Sequence, residues 1–120
     1  MDNKEVWKES LDIDDMGFNE YQLLALRTAN KDNKDLILNG TLGLAGESGE
    51  VADVVKKHLF QGHELNKDKI VDELGDVLWY IAIMAKGIGV GMEEIAKHNV
   101  EKLKKRYPDG FEVERSLNRG

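Results

Sequence analysis

The sequence predicts an all-α protein, a four-helix bundle completed by homo-oligomerisation. Three observations lead there. Apolar residues recur at helical rather than strand spacing along most of the chain. There is one proline in 120 residues, and long stretches carry no turn signal, which disfavours a sandwich of short strands. The run Val77-Leu78-Trp79-Tyr80-Ile81-Ala82-Ile83-Met84-Ala85 is apolar on every side. A helix of that kind in a soluble protein is covered all round, and a bundle this small does not cover it alone.

The elements follow in order. Residues 1–18 are polar and mixed and read as an arm. A first helix runs from Asn19 to about Asn30. Asn19 reads as its cap, Gln22 as the reciprocal member of a capping box, and Phe18 with Leu23 as a hydrophobic staple. Residues 31–34 are a polar break. The second helix begins between Asp35 and Gly40 and runs to about Phe60, with Leu38, Leu42, Ala45, Val51, Val54 and Val55 at helical spacing and Gly62 as its stop. The third starts at Asn66 or Lys67 and reaches about Lys86.

Gly87-Ile88-Gly89-Val90-Gly91 follows no strand and lacks the Lys-Ser/Thr ending of a phosphate loop, so it reads as a turn. The fourth helix runs from about Met92 to Tyr107. Glu93 and Glu94 suit its positive end, and Lys104, Lys105 and Arg106 its negative end. Ala96, Val100, Leu103 and Tyr107 form its expected buried stripe, and Pro108 stops it. The domain thus spans residues 19–111, with 112–120 as a polar tail.

Composition narrows the function. The net charge is −6, and the only dense basic stretch is Lys102, Lys104, Lys105 and Arg106 at a helix end. Nucleic acid is therefore not the expected partner. With no cysteine, disulfides and thiolate metal sites are excluded. The start of the chain has no signal-peptide core, and no apolar run approaches the ~20 residues of a membrane span. No membrane partner is expected, and the expected location is the cytoplasm.

The chemistry lies in two acidic pairs. Glu47 and Glu50 are three apart, and Glu73 and Asp76 repeat the spacing on the next long helix. Each pair shares a helix face, and antiparallel packing of the two helices lets them converge. Four converging carboxylates repel one another. A hard divalent cation resolves this, and oxygen ligands suit Mg²⁺ or Mn²⁺. Such a centre is built for phosphoryl chemistry: the metal clamps phosphates and activates a water.

Gly46 and Gly49 flank the first pair and Gly75 lies inside the second. Mid-helix glycine costs about 1 kcal/mol against alanine, so these suggest close helix approach or room for a substrate. The plain alternative is a solvated acidic surface. It is weaker for Glu73/Asp76, which leads directly into the apolar helix.

Other candidates surround the pairs. Asp53 continues the Glu47/Glu50 face, Asp72 points elsewhere, and Lys56 or Lys57 is placed to contact phosphate. Asn99, Lys102 and Arg106 share one face of the fourth helix and are suited to hold phosphates. For Arg106, compensation of the helix dipole explains the charge equally well. Tyr21 and Gln22 are within the scope of a base contact. His58, His63 and His98 show no zinc spacing.

Three segments together closely resemble the MazG-like nucleotide pyrophosphohydrolases of the all-α NTP pyrophosphatase superfamily. They are Leu44-Ala45-Gly46-Glu47-Ser48-Gly49-Glu50-Val51, Asp72-Glu73-Leu74-Gly75-Asp76-Val77-Leu78-Trp79, and Asn99 through Lys102 and Arg106-Tyr107-Pro108 to Phe111. The resemblance implies a bundle completed as a homodimer or homotetramer. It implies Mg²⁺-dependent hydrolysis of a (d)NTP to a (d)NMP and pyrophosphate. Glu47, Glu50, Glu73 and Asp76 match the family's metal ligands, and Asn99 and Lys102 match positions that contact phosphate. The alternatives are a phosphoribosyl-ATP pyrophosphatase-like enzyme and a non-catalytic helical metal-binding module. A di-iron bundle fits less well, because Glu94 and His98 are four apart and have no second copy.

Overall fold

The computed structural model describes residues 13–29 and 33–110, the side chains of residues 33 and 34 excepted. A short 3-10 turn, Ile13–Asp15, precedes four helices: α1 Phe18–Leu26, α2 Asn33–Phe60, α3 Lys67–Gly87 and α4 Met92–Arg106. No strand occurs among the described residues. The parts of the expected arm before residue 13, of the break at residues 31 and 32, and the tail beyond residue 110 lie outside the described residues.

The helices α2 and α3 form a long antiparallel hairpin. The register is visible in the glycines. Gly87 lies against Leu36 and Ile37, Gly40 against Met84, and Gly43 against Tyr80. A Cβ added at Gly43 would fall 2.1 Å from the Tyr80 ring, so only a bare Cα lets the helices meet there. The hairpin's loop is set by Gly62, at φ +73°, and by Asn66, whose Oδ1 accepts the Lys69 N–H at 3.1 Å and caps α3.

A small core joins α1 to the hairpin. Ala25, Ala82, Ala85 and Met92 are buried together, with Tyr21, Leu78, Trp79, Ile81 and Val90 packed on them. The Trp79 indole N–H is shared between the Ala25 carbonyl at 3.1 Å and Thr28 Oγ1 at 2.9 Å. Beyond the turn at 88–91, α4 leaves α3 at 99°. No single helix among the described residues is long and apolar enough to cross a membrane.

Four sequence expectations change. Gly17, not Asn19, stands at the start of α1 and gives no side-chain cap. Asn19 and Gln22 instead bond to the backbone of α3, the glycine turn and α4, because the capping position before α4 is Gly91, which supplies no side-chain cap. Phe18 and Leu23, the expected staple, both stay exposed. The helix also ends at Leu26, short of Asn30.

The stripe on α4 is not buried either. Val100 and Leu103 are exposed, and Ala96 and Tyr107 half-buried, because the 99° bend carries this helix away from α3. The apolar run of α3 is only partly covered within one chain: Ala82, Ile83 and Ala85 are buried, and the others half-buried.

Candidate functional site

The hairpin brings three of the four predicted carboxylates together. Glu47, Glu73 and Asp76 each place one carboxylate oxygen within 4.8 Å of the other two. Four residues after Gly43, Glu47 returns to the face of α2 that meets α3. On α3, Asp76 and Glu73 follow Tyr80 at the same helical spacing. Glu73 is buried, Glu47 half-buried and Asp76 exposed, so the cluster spans from the hairpin seam to its surface.

The two glutamates differ electrically. Lys69 Nζ lies 2.9 Å from Glu73 Oε1. This ammonium, with a hydrogen bond from Glu47, holds the Glu73 carboxyl below the usual glutamate range. The Glu47 carboxyl is pushed up, first by its hydrogen bond to Glu73, then by burial and by repulsion from Asp76, Glu73 and Glu50. The hydrogen bond between the two carboxyls thus pushes them in opposite directions, Glu47 up and Glu73 down. An oxygen-only donor set of three close carboxylates suits a hard divalent cation, whose charge offsets their mutual repulsion.

Glu50 stands outside the triad. Its charge still reaches Glu47, Lys57 and Lys69. Asp53 is engaged by cations: Lys57 at 2.8 Å and Lys56 at 3.8 Å. That hydrogen bond from Lys57, followed by the nearby charges, pulls the Asp53 carboxyl down. Lys56 thus leans on α2's own acid. Asp72 is exposed, as expected.

Of the two readings of the flanking glycines, close helix approach is overturned. A Cβ at Gly46, Gly49 or Gly75 meets nothing within 4 Å. The close approaches fall at Gly40, Gly43 and Gly87. The acidic stretches therefore border open space.

From α1, Tyr21 reaches toward the site. Its hydroxyl is pushed up by burial and then by the negative charge of Asp76. Beside it lies a cavity of about 260 Å³ lined by Met16, Gly17, Phe18, Tyr21 and Leu78. Asn99, Lys102 and Arg106 are exposed on α4. Among the described residues no hydrogen bond or ion pair joins them to the triad. His58 ends α2, its Nδ1 2.9 Å from the His63 carbonyl.

Sequence reasoning missed Lys69. The signal was present, since Lys69 and Glu73 are four apart on one helix face. The nearness of Tyr21 to Asp76 had no such signal, because it depends on how α1 docks.

Fold and site together define a class: an all-α protein with an acidic cluster suited to a divalent cation. The chain matches the MazG nucleotide pyrophosphohydrolase domain over residues 38–111. It belongs to that family, which is of the pyrophosphohydrolase type and generally dependent on divalent metal. It is similar to the Gene 37 protein of Mycobacterium phage L5, at 39% identity over 74 residues, 58% of this chain and 65% of the phage protein. It is similar also to the Uncharacterized protein YvdC of Bacillus subtilis (strain 168), at 33% identity over 73 residues, 53% of this chain and 69% of that relative. The chain thus spans about two thirds of the length of these relatives. No solved structure matches it.

Proposed function

We propose that this chain is a Mg²⁺-dependent nucleoside triphosphate pyrophosphohydrolase, turning (d)NTP and water into (d)NMP and pyrophosphate, in a nucleotide-pool housekeeping role. One observation carries the reading. The carboxylates of Glu47, Glu73 and Asp76 lie within 4.8 Å of one another, inside the segment that matches the family. These three, with Glu50 beside them, would hold Mg²⁺ or Mn²⁺. When bound, the cation neutralises the phosphates and makes water more acidic.

The remaining work falls to the chain. Glu50, outside the triad, takes the proton of the attacking water. Lys69 keeps Glu73 ionised. Asn99 and Lys102 hold the phosphates, with Arg106 further along the same face and Lys56 at the α2 side. The cavity at Phe18, Tyr21 and Leu78 is suited to the base, since its wall is apolar and aromatic. Bond cleavage between the α and β phosphorus atoms releases pyrophosphate, and the water oxygen remains on one of the two products.

The active form is a homodimer or homotetramer. Leu38, Leu42, Leu59 and Phe60 on α2, with Val71 and Leu74 on α3, are exposed in one chain. Apolar side chains in such number favour burial against another copy.

The test is a substrate panel. ATP, dCTP, dUTP and phosphoribosyl-ATP are incubated with the chain and Mg²⁺ or Mn²⁺, and pyrophosphate is measured. Release from triphosphates is expected. Release from phosphoribosyl-ATP alone selects the phosphoribosyl-ATP pyrophosphatase reading, and no release from any of the four defeats the enzyme reading.

A further inference from the structure

Two polar side chains of α1 do nothing for α1 itself. Asn19 Oδ1 accepts the Glu93 N–H at 3.1 Å. Gln22, only 7% exposed, donates from Nε2 to the carbonyls of Ala82 and Val90, each at 3.2 Å. Its Oε1 accepts the Met92 N–H at 3.1 Å. One buried amide thus ties together the last turns of α3, the glycine turn and the first residue of α4.

The N–H groups that Asn19 and Gln22 satisfy belong to the first turn of α4, where a helix leaves its donors unpaired. Gly91, at the start of that helix, has no side chain to offer. It is also the residue that admits the borrowed cap, since a Cβ there would stand 2.8 Å from Asn19 Oδ1. The turn itself is not stiff by composition. Gly89 sits at φ +81° between Ile88 and Val90, and α3 and α4 meet at 99° rather than packing side by side.

We propose that Asn19 and Gln22 are positioning residues of the reaction. They form a latch that fixes the direction in which α4 leaves α3, and so sets where Asn99 and Lys102 meet the substrate phosphates. This rests on the phosphate role given to α4 under the proposed function, and it holds whichever copy's carboxylates α4 serves.

The lever is long. At 1.5 Å per residue, Lys102 lies about 15 Å along the helix from Met92. A swing of about 10° at the latch then displaces Lys102 by roughly 2.6 Å. A misplacement of about 1 Å can cost on the order of 100-fold in rate.

The experiment uses the full chain and four variants: Asn19→Ala, Asn19→Asp, Gln22→Met and Gln22→Glu. Asn19 is exposed, so its substitution leaves the core intact. Steady-state kinetics with Mg²⁺ and the preferred triphosphate are read beside the Mg²⁺-induced thermal shift. Because the chain has no cysteine, nitroxide labels at Asp68→Cys and Lys105→Cys report the α3–α4 distance by pulsed electron resonance, in protein diluted with unlabelled chain.

Asn19→Ala, Gln22→Met and Gln22→Glu are expected to lower kcat/KM about tenfold or more. They should broaden the distance distribution and leave the Mg²⁺ shift unchanged. Asn19→Asp keeps the acceptor oxygen and should restore both rate and a narrow distribution. The proposal is overturned if wild type turns over and the Asn19→Ala and Gln22→Met variants match it in kcat/KM. It is equally overturned if their distance distributions stay as narrow as that of wild type. Absence of turnover by wild type defeats the proposed function and this inference together.

Discussion

Gly43 and Gly46 are one helical turn apart on α2, and alanine at the two positions should act in opposite directions. At Gly43 the new methyl would stand 2.1, 2.3 and 2.4 Å from three atoms of the Tyr80 ring. The ring has to move as a whole, and it is not free to. It packs edge-on against Trp79 with centroids 5.0 Å apart, and Trp79 is tied to α1 by its indole N–H. Overpacking costs about 1–3 kcal/mol, and disturbing an aromatic pair about 0.5–1.5 kcal/mol more. Against this stands the helix preference of alanine over glycine, about 1 kcal/mol. The net expectation is a loss of about 2 kcal/mol for Gly43→Ala.

At Gly46 the methyl meets nothing within 4 Å, so only the helix preference remains. Gly46→Ala should therefore gain about 1 kcal/mol. At about 4–8 °C per kcal/mol for a domain near this size, its Tm rises by about that much, while Gly43→Ala falls by about twice it. Thermal unfolding of the two variants and wild type, without metal and at one protein concentration, reads the difference. Shifts of the same sign would refute the reasoning. A destabilised Gly46→Ala would mean that something, a second copy for instance, fills the space beside Glu47. The same variant should show lower kcat/KM in the pyrophosphate assay if the open space beside Glu47 admits the substrate.

Other outcomes follow from the site. Glu73→Ala and Asp76→Ala should each abolish the Mg²⁺-induced rise in Tm. Asp76→Ala, at an exposed acid, should do so with little loss of metal-free stability because repulsion is relieved, whereas Glu73→Ala also gives up the Lys69 ion pair and should lose stability. A retained Mg²⁺ response would remove these residues from the metal site. The Mg²⁺ response should also depend on pH. Glu47 holds its proton above the ordinary glutamate range, and metal displaces it, so the response is full above that raised pKa and fades as pH falls through it. In the metal-free chain the sign reverses: the raised pKa makes Glu47 favour the fold at low pH and lose that contribution as pH rises through it. A Mg²⁺ shift flat from neutrality down to the ordinary glutamate range would contradict the raised Glu47 carboxyl. Leu42→Glu and Phe60→Glu should shift the chain to a smaller species in size-exclusion with light scattering, and a wild type that is already monomeric would remove the oligomer.

Helix type and most helix ends were legible because the signals are local, although α1 stops short of Asn30 and α2 begins at Asn33, inside the expected break and ahead of the expected start between Asp35 and Gly40. The spacing of Leu38, Leu42 and Val51 marked α2, and Asn66, Gly62 and Pro108 marked ends by their own backbone chemistry. Asn19 and Gln22 misled for the same reason. Their spacing satisfies a capping box, yet the donors they serve lie about 70 residues away, and no local pattern records that α4 starts on a bare glycine in need of a partner. The position of α4 was hidden likewise. Its apolar stripe reads as buried, but burial depends on the 99° bend, which is set by tertiary bonds. Among the carboxylates, the pairing across helices was readable. The division between them, with Glu73 pulled down by Lys69 and Glu47 pushed up, needed the geometry.

The triad is best understood as the polar continuation of a packing seam. On α2 the seam runs through Leu36, Gly40 and Gly43, and the next residue on that ridge is Glu47. On α3 it runs back through Gly87, Met84 and Tyr80, and the next positions are Asp76, Glu73 and Lys69. These steps of three and four keep one face toward the partner helix. The glycines draw the backbones together only where the seam is apolar. One turn further the same ridge delivers carboxylates, and there the glycines lie off it, at Gly46 and Gly49, with open space around them. The tight end therefore supplies the rigidity that holds three mutually repelling acids in place, and the open end leaves the volume a cation and phosphates need. The cost of gathering the acids is met by packing that lies outside the site, which is why a change at Gly43 should loosen the triad without touching it.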